Sequence, residues 1–275
     1  MTRVVCALSG GGAKAAAHLG ALKALGESGL TPHHFVATSM GAVMAAMAAA
    51  GVPYQRALAR VARLRRRDLA GLAPSVLFGA FGGSVFRLDP LRRLISSIVP
   101  ATRFDELETP LTVTTVDLDT GELVLLGEGG EDVPLVDALV AGCALPIYFP
   151  PVSLLGRQLA DGGLRGVLPL DETLAFAPEL VFAVQVGPSF HELPPLKRAA
   201  LPALVRRHGQ AQRILMAAYT EVVIDRWRRA ERPELILVEP EVRAETTFAV
   251  ELAITYVEEG YRAATRALAA RRVPQ

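Results

Sequence analysis

Residues 3–12 read RVVCALSGGG and residues 34–41 read HFVATSMG. In both stretches a short run of apolar residues passes into a turn of small residues, so Arg3–Leu8 and His34–Thr38 are predicted to be buried β-strands. An alanine-rich segment follows each turn and predicts a helix. This strand–helix–strand–helix order implies right-handed crossovers and a mostly parallel sheet.

The rest of the chain continues this pattern. Helices are predicted over Ala13–Glu27, Met40–Ala50, Tyr54–Leu69, Val136–Ala144, Leu201–Arg229 and Thr247–Arg271. Strands are predicted over Leu111–Val116, Glu122–Leu126, Gln158–Ala160, Leu180–Val186 and Leu235–Val238. The sequence has no internal repeat, charge block or low-complexity linker. We therefore expect one α/β domain over residues 1–275, a three-layer sandwich in which helices flank a mostly parallel central sheet.

Composition limits the class of protein. Residues of the set AVILMFWYC make up 51% of the 275 residues and charged residues 21%, which is enough apolar material for a large core. The net charge of +1 gives no reason to expect nucleic acid as a partner. Two cysteines, Cys6 and Cys143, cannot form a disulfide framework and suit a reducing compartment. With neither a signal-peptide core nor a spanning segment in the sequence, we expect a cytoplasmic protein that touches membranes only from outside.

The first chemical signal is Ser39, in the run Ala37-Thr38-Ser39-Met40-Gly41 between the second strand and the second helix. A serine on such a tight turn projects its hydroxyl at a helix N-terminus, and small residues two positions before and after it let the backbone fold back. This pattern is typical of a nucleophile. A plain N-cap serine is the alternative interpretation.

The second signal is the glycine-rich loop after the first strand, Gly10-Gly11-Gly12-Ala13 followed by Lys14. A nicotinamide site would need an acidic residue near the end of the next strand, and none is present there. The P-loop pattern also fails around Lys14. Two interpretations remain: a cradle of backbone N–H groups for a developing negative charge, or a simple glycine-rich connection.

The third signal is Asp161, followed by Gly162 and Gly163. Glycines at these positions let the backbone pass close to another loop while the carboxylate points into it. Alone, this is an ordinary turn. Because the first two strands would bring the glycine loop and Ser39 to one edge of the sheet, the three signals together supply a nucleophile, an oxyanion hole and a base.

With these motifs the chain resembles the patatin-like phospholipases over nearly its whole length. Further family-like runs are Ala17-His18-Leu19-Gly20, Val116-Asp117-Leu118-Asp119-Thr120-Gly121-Glu122, Cys143-Ala144-Leu145-Pro146, Phe149-Pro150-Pro151-Val152 and Glu258-Glu259-Gly260-Tyr261. The resemblance implies a serine lipid acyl hydrolase of the phospholipase A, lysophospholipase or esterase type. Its dyad would be Ser39 as nucleophile and Asp161 as general base, with an oxyanion hole from Gly10, Gly11, Gly12 and Ala13. Supporting residues would be Ala37, Met40, Gly41, Lys14, Gly162 and Gly163.

The resemblance implies an acyl ester, such as a phospholipid, as substrate. We expect no metal, because no cluster of His, Asp and Glu has the spacing of metal ligands, and we expect no cofactor. The resemblance does not indicate an oligomeric state. Two departures from the family pattern are Ala15 and Ala37, where glycine is usual. They support an alternative, a lipid-binding or regulatory protein with little turnover.

Two other readings of the chemistry compete with the dyad. A serine–histidine–aspartate triad would use His191 or His208, but neither lies in a recognisable loop signature. Cys143 as a nucleophile lacks an obvious base partner. His18, His33 and His34 are expected to be structural.

One further surface has a lipid-binding interpretation. Arg56, Arg60, Arg63 and Arg67 would share one face of the helix that begins at Tyr54. The apolar, glycine-rich segment Leu69–Phe86 follows, and together they suit docking on anionic lipid. A solvated helix face followed by a buried loop is the alternative, and it is the one we favour.

Overall fold

The computed structural model describes residues 2–65, 84–194, 203–244 and 248–271. The strands are β1 (Val4–Leu8), β2 (Pro32–Thr38), β3 (Leu111–Asp117), β4 (Leu123–Gly127), β5 (Val152–Leu154), β6 (Arg157–Asp161), β7 (Leu180–Val184) and β8 (Glu234–Val238). The helices are α1 (Ala17–Glu27), α2 (Met40–Ala49), α3 (Tyr54–Ala62), α4 (Leu88–Ile98), α5 (Leu135–Gly142), α6 (Ala203–Arg229) and α7 (Ala253–Ala269).

All eight strands belong to one sheet. Hydrogen-bonded pairing runs along the path β5-β6-β3-β2-β1-β7-β8, and β4 also pairs with β3. The five strands from β3 to β8 along this path are parallel to one another. β4, β5 and β6 pair in antiparallel fashion at the β3 end. The predicted mostly parallel sheet is therefore confirmed, with an antiparallel margin at one end.

The edge of β3 that faces β2 carries two strands in succession. β2 runs parallel to β3, and its last residue, Thr38, pairs with Thr114. β6 runs the other way, and its last residue, Asp161, pairs with Thr115. Because β4 occupies the other edge of β3, β2 and β6 must share one edge. Their carboxyl ends therefore meet.

Helices cover both faces of the sheet. On one face, α1, α2, α4, α5 and α7 pack into the larger buried cluster, with Cys6, Leu8 and Phe182 from the strands. On the other face, a smaller cluster joins Ala7, Val181 and Ala183 of the strands to Val223, Ile224 and Trp227 of α6. Every residue of β1 and β7 is buried, as parallel strands covered on both faces require. The three-layer prediction is confirmed.

Helices α1 and α7 cross at two glycines. A Cβ at Gly20 would lie 1.9 Å from the Val257 carbonyl oxygen, and one at Gly260 would lie 1.9 Å from the Ala17 oxygen. Only glycine allows this approach. Because α1 follows the glycine-rich loop directly, the crossing of α1 and α7 also fixes the C-terminal end of that loop.

Several predicted element boundaries were wrong. The helix predicted over Ala13–Glu27 divides into a 3₁₀ helix at Gly12–Ala16 and α1, because the first turn tightens where the chain leaves the loop. Helix α3 ends at Ala62 rather than continuing to Leu69, and the run of like charges after Ala62 opposes a longer helix. Helix α4 and strand β5 were not predicted. In α4 the signal was present in the spacing of Leu91, Leu94, Ile95 and Ile98.

The arginine face of α3 is only partly open to solvent. The Arg60 guanidinium donates to the carbonyl oxygen of Ile98, so this residue joins α3 to the end of α4. Arg56 and Arg63 are exposed. Arg67, and Leu69–Phe86 as far as residue 83, lie outside the described residues. None of the helices in the described ranges is long and apolar enough to cross a bilayer.

Candidate active site

Ser39 occupies the sharp turn between β2 and α2. Its backbone angles are φ 55° and ψ −137°, a conformation that residues with a side chain rarely adopt. Its side chain does not cap α2. Instead the Oγ hydroxyl donates to Asp161 Oδ2 at 2.6 Å. The N-cap interpretation of Ser39 therefore does not hold.

The residues around Ser39 are small because main chains approach closely there. A Cβ at Gly41 would lie 2.4 Å from the Ser9 carbonyl oxygen, and one at Gly10 would lie 3.0 Å from the Ser39 Cβ. Ala37 is fully buried in β2 between Leu8 of β1 and Val113 of β3. The turn therefore forms with alanine in place of the usual first glycine.

Asp161 ends β6 and caps the short 3₁₀ helix Gly162–Leu164. Its Oδ1 accepts from the Gly163 N–H at 2.8 Å, so the two carboxylate oxygens have different partners. Gly162 presses against β3, where a Cβ would lie 2.2 Å from Thr114 Oγ1. The carboxylate is thus held on both sides, and its orientation toward Ser39 follows from the backbone.

Asp161 is 3% exposed. Burial raises the pKa of this carboxyl from its ordinary value of 3.8 to about 6, against the opposing effect of the hydrogen bonds from Ser39 and Gly163. A carboxylate with a raised pKa is a better proton acceptor than one in water. At neutral pH it remains ionised.

The glycine-rich loop lies beside this pair, where β1 ends. Gly10 donates its N–H to the Val167 oxygen at 3.1 Å, so this amide is not a free donor. In the described ranges, the amides of Gly11, Gly12 and Ala13 donate no backbone hydrogen bond. These residues lie at the start of the 3₁₀ helix, where N–H groups have no acceptor within the helix. Of the four predicted oxyanion residues, Gly10 thus has its amide engaged, and the other three are the candidate donors.

Lys14 is not a surface residue. It is 1% exposed, and its Nζ donates to the carboxylate of Glu192. Burial lowers the pKa of this ammonium, and the charge of Glu192 opposes the shift. Glu192 was not predicted as a site residue, because no local pattern in the sequence links positions that lie 178 residues apart.

Met40 and Cys143 border the Ser39 side chain. The Cys143 Sγ lies 3.8 Å from Met40 Sδ. Burial and the nearby Asp161 carboxylate raise the pKa of the Cys143 thiol well above its usual value, while Ser39 has a smaller opposite effect. A thiol that stays protonated is a poor nucleophile. This argues against the cysteine alternative.

The buried histidines have partners other than Ser39 and Asp161. His18 Nε2 lies 2.8 Å from the Ser9 oxygen, and burial lowers the pKa of this ring to about 4. His34 bonds to Thr112 and stacks on Phe176. His191 and His208 are exposed. Within the described ranges no histidine hydrogen-bonds Ser39 or Asp161, so the geometry favours the dyad over the triad.

No group of three or more His, Cys, Asp or Glu residues in the described parts of the chain has the arrangement of a metal site. At the turn the Ser39 hydroxyl meets the Asp161 carboxylate. The glycine-rich loop lies beside them, since a Cβ at Gly10 would lie 3.0 Å from the Ser39 Cβ. Together these groups can move a proton and hold a negative oxygen.

Comparison with curated proteins gives relatives of this chain. An uncharacterized NTE family protein of Mycobacterium tuberculosis is 32% identical over 187 residues, which are 68% of this chain and 50% of the relative. The omega-hydroxyceramide transacylase of Homo sapiens is 30% identical over 145 residues, which are 50% of this chain and 26% of the relative. The chain therefore spans half or less of the length of these relatives.

Among solved structures, VipD from Legionella pneumophila matches with a TM-score of 0.49 and 16% identity, over 98% of this chain and 67% of that one. The type III effector protein ExoU matches with a TM-score of 0.38 and 12% identity, over 98% and 53%. The family profile described as patatin-like phospholipase matches residues 6–174, a span that includes the glycine loop, Ser39 and Asp161. The chain belongs to the patatin-like phospholipase family.

Proposed function

We propose that this protein is a serine lipid acyl hydrolase in which Ser39 and Asp161 form a catalytic dyad. The observation that carries the proposal is the 2.6 Å hydrogen bond from Ser39 Oγ to a buried carboxylate whose pKa is raised to about 6. Family membership supports lipid acyl chemistry. A phospholipid, a lysophospholipid or a simpler acyl ester would be the substrate.

In the acylation step, Ser39 Oγ attacks the ester carbonyl carbon while Asp161 Oδ2 takes the hydroxyl proton. The carbonyl electron pair moves to oxygen, and the amides of Gly11, Gly12 and Ala13 donate to this oxyanion. One such donor is worth about 2.7–4 kcal/mol in the transition state. When the carbonyl re-forms, the alcohol oxygen of the substrate leaves and takes the proton from Asp161. The acyl group stays on Ser39.

In the deacylation step, Asp161 takes a proton from water as the water oxygen attacks the acyl carbon. The same amides hold the second oxyanion. Its collapse breaks the bond to Ser39 Oγ, which recovers the proton from Asp161, and the fatty acid is released. One carboxylate thus serves both halves of the reaction.

A second candidate function is acyl transfer to an alcohol. It is favoured by the similarity to a protein named omega-hydroxyceramide transacylase. The acyl-enzyme is common to both reactions, and only the attacking hydroxyl differs. Turnover of an acyl ester with and without a long-chain alcohol separates them: transfer requires a new ester that carries the alcohol, while hydrolysis gives only fatty acid.

The lipid-binding alternative retains support from Ala15 and Ala37. Against it stands the contact between Ser39 and Asp161, which a binding protein does not need. For this chain we further propose a cytoplasmic location with peripheral contact to membranes, supported by two buried cysteines without a disulfide.

The test compares wild type with Ser39→Ala and Asp161→Asn on p-nitrophenyl acyl esters and on mixed phospholipids, with products identified by mass spectrometry. Both variants should lose at least about a thousandfold in kcat. Ser153, an exposed serine that bonds Gln158, provides the matched control Ser153→Ala. A fluorophosphonate probe should label wild type and Ser153→Ala but not Ser39→Ala. Equal hydrolysis by wild type and Ser39→Ala would refute the proposal.

A further inference from the structure

Lys14, Glu192 and Arg213, here called the buried triad, form a chain of charges that the dyad does not use. Lys14 has the largest fully buried side chain in the described part of the protein. It donates to Glu192 Oε1, and Glu192 is itself only 3% exposed at its side chain. The other carboxylate oxygen accepts from Arg213 of α6, whose side chain is 24% exposed. The triad thus leads from the interior to the surface.

The inner end of the triad lies at the glycine-rich loop. Lys14 follows Ala13 directly in the 3₁₀ helix Gly12–Ala16, and its N–H donates to the Gly11 oxygen at 3.3 Å. A displacement of Lys14 therefore moves the backbone that carries the free amides. The Lys14 side chain has only Glu192 as a described partner, so the position of this carboxylate decides where Lys14 sits.

Glu192 in turn is held by the main chain. The next residue, Leu193, donates its N–H to the Val242 oxygen at 2.9 Å and accepts from the Ala244 N–H at 2.8 Å. This short ladder fixes the segment on which Glu192 lies. On the other side of the loop, the Gly10 amide bonds to Val167. The loop is therefore held at both ends, once by a backbone bond and once by an ion pair.

Stability alone does not account for a lysine here. Taking two charges out of water costs free energy that offsets most of their mutual attraction. Apolar residues of similar size stabilise a core as well or better. The triad also contains two cations for one anion, so its charges do not cancel as they would in a simple ion pair. What an ion pair adds over apolar packing is direction, because it fixes where one charged atom lies relative to another.

We propose that Glu192 is a positioning residue that acts through Lys14 to hold the amides of Gly11, Gly12 and Ala13 where the oxyanion forms, with Arg213 joining this support to α6. This inference rests on the proposed function. It assigns a role in the reaction to Glu192 and Arg213, which lie outside the three sequence motifs. Oxyanion donors act on the transition state, so loss of Glu192 should lower kcat and leave KM nearly unchanged.

The variants are Glu192→Gln, which removes the charge and keeps the shape, and Lys14→Met with Glu192→Gln, which removes both inner charges. The matched control is Glu234→Gln, which breaks the ion pair of Glu234 with Arg271 at the opposite end of the parallel strands. On a p-nitrophenyl ester we expect kcat to fall at least tenfold in Glu192→Gln, with KM within twofold of wild type. We expect no change in Glu234→Gln. A kcat within twofold of wild type in both triad variants overturns the inference.

Hydrogen–deuterium exchange provides a readout that needs no turnover. The amides of residues 9–16 should exchange at least threefold faster in Glu192→Gln than in wild type, while those of β7 stay unchanged. Unchanged exchange in residues 9–16 overturns the inference whatever the activity. Faster exchange in a protein without any hydrolysis supports the positioning role and refutes only the proposed function. If Glu192→Gln does not fold because Lys14 is left unpaired, the double variant, in which neither position 14 nor position 192 carries a charge, provides the same two measurements.

Discussion

Thr38 and Asp161 end two strands that approach each other along one edge of β3, where they pair with the adjacent residues Thr114 and Thr115. Ser39 is the residue after Thr38, so its hydroxyl meets the Asp161 carboxylate without any flexible connection between them. Rigid strands hold side chains more accurately than loops. The distance between the Ser39 hydroxyl and the Asp161 carboxylate is therefore set by the register of the sheet.

The contact of Gly162 with β3 predicts a large effect of a single methyl group. In Gly162→Ala the new Cβ would lie 2.2 Å from Thr114 Oγ1 and 2.5 Å from the Thr114 oxygen, so the segment that carries Asp161 must shift. A misplacement of about 1 Å costs on the order of a hundredfold in rate. We expect kcat for an acyl ester to fall by about this factor.

Gly166→Ala is the control for this variant, because its Cβ would meet only Tyr219 at an ordinary 3.5 Å. Its kcat should match that of wild type. Equal kcat values for Gly162→Ala and wild type would contradict the account of how the sheet positions Asp161.

The raised pKa of Asp161 predicts the pH dependence of hydrolysis. A base must be ionised to accept a proton, so kcat/KM should rise with pH and reach half its plateau near the Asp161 pKa of about 6. Initial rates on a neutral ester between pH 4.5 and 8 check this, with circular dichroism at each pH to confirm that the protein stays folded. A rate that does not change between pH 5 and 8 would exclude a base of this pKa.

The same shift predicts that Asp161 lowers the stability of the fold at neutral pH. The folded pKa of about 6 exceeds the ordinary 3.8, so the native state binds the proton more tightly than the unfolded state does. The favourable contribution of the protonated Asp161 carboxyl to stability is present below pH 3.8 and is lost as pH rises through 6. At pH 8, Asp161→Asn should therefore raise the free energy of unfolding, by at most about 3 kcal/mol.

Urea denaturation at pH 8 and pH 4 measures this difference. The gain should vanish at pH 4, where the wild-type carboxyl is protonated in the folded state. An Asp161→Asn variant that is less stable than wild type at pH 8 would show that the buried carboxylate is not under electrostatic strain.

The crossing of α1 and α7 predicts opposite effects for two glycines of one helix. In Gly20→Ala the Cβ would lie 1.9 Å from the Val257 oxygen, so the helices must separate. We expect a loss of about 1–3 kcal/mol in unfolding free energy, as for other overpacked cores. Gly26→Ala, where the Cβ meets nothing within 4 Å, should instead gain about 0.5–1 kcal/mol. Thermal or urea unfolding of both variants checks the prediction, which fails if Gly20→Ala is as stable as wild type.

The two opening strand–turn–helix units were predictable because their information is local. The apolar runs before Gly10 and Ser39 have the composition of parallel strands, and the order of elements fixes the handedness of the crossovers. Three candidate site positions, the glycine loop, Ser39 and Asp161, could be found for the same reason, since each is punctuated by glycine or another small residue. Helix α4 could have been found from its spacing of apolar residues.

By itself, the sequence determined the class of fold and the chemical groups of the candidate site. The period of the apolar residues, the turn residues and the residue types can all be read from neighbouring positions. Only the tertiary structure decided which of these groups touch. It directed the Ser39 hydroxyl to Asp161 rather than to the end of α2, engaged the Gly10 amide with Val167, and joined Lys14 to Glu192. Such contacts span up to 178 residues and depend on the pairing of strands, which no local pattern specifies.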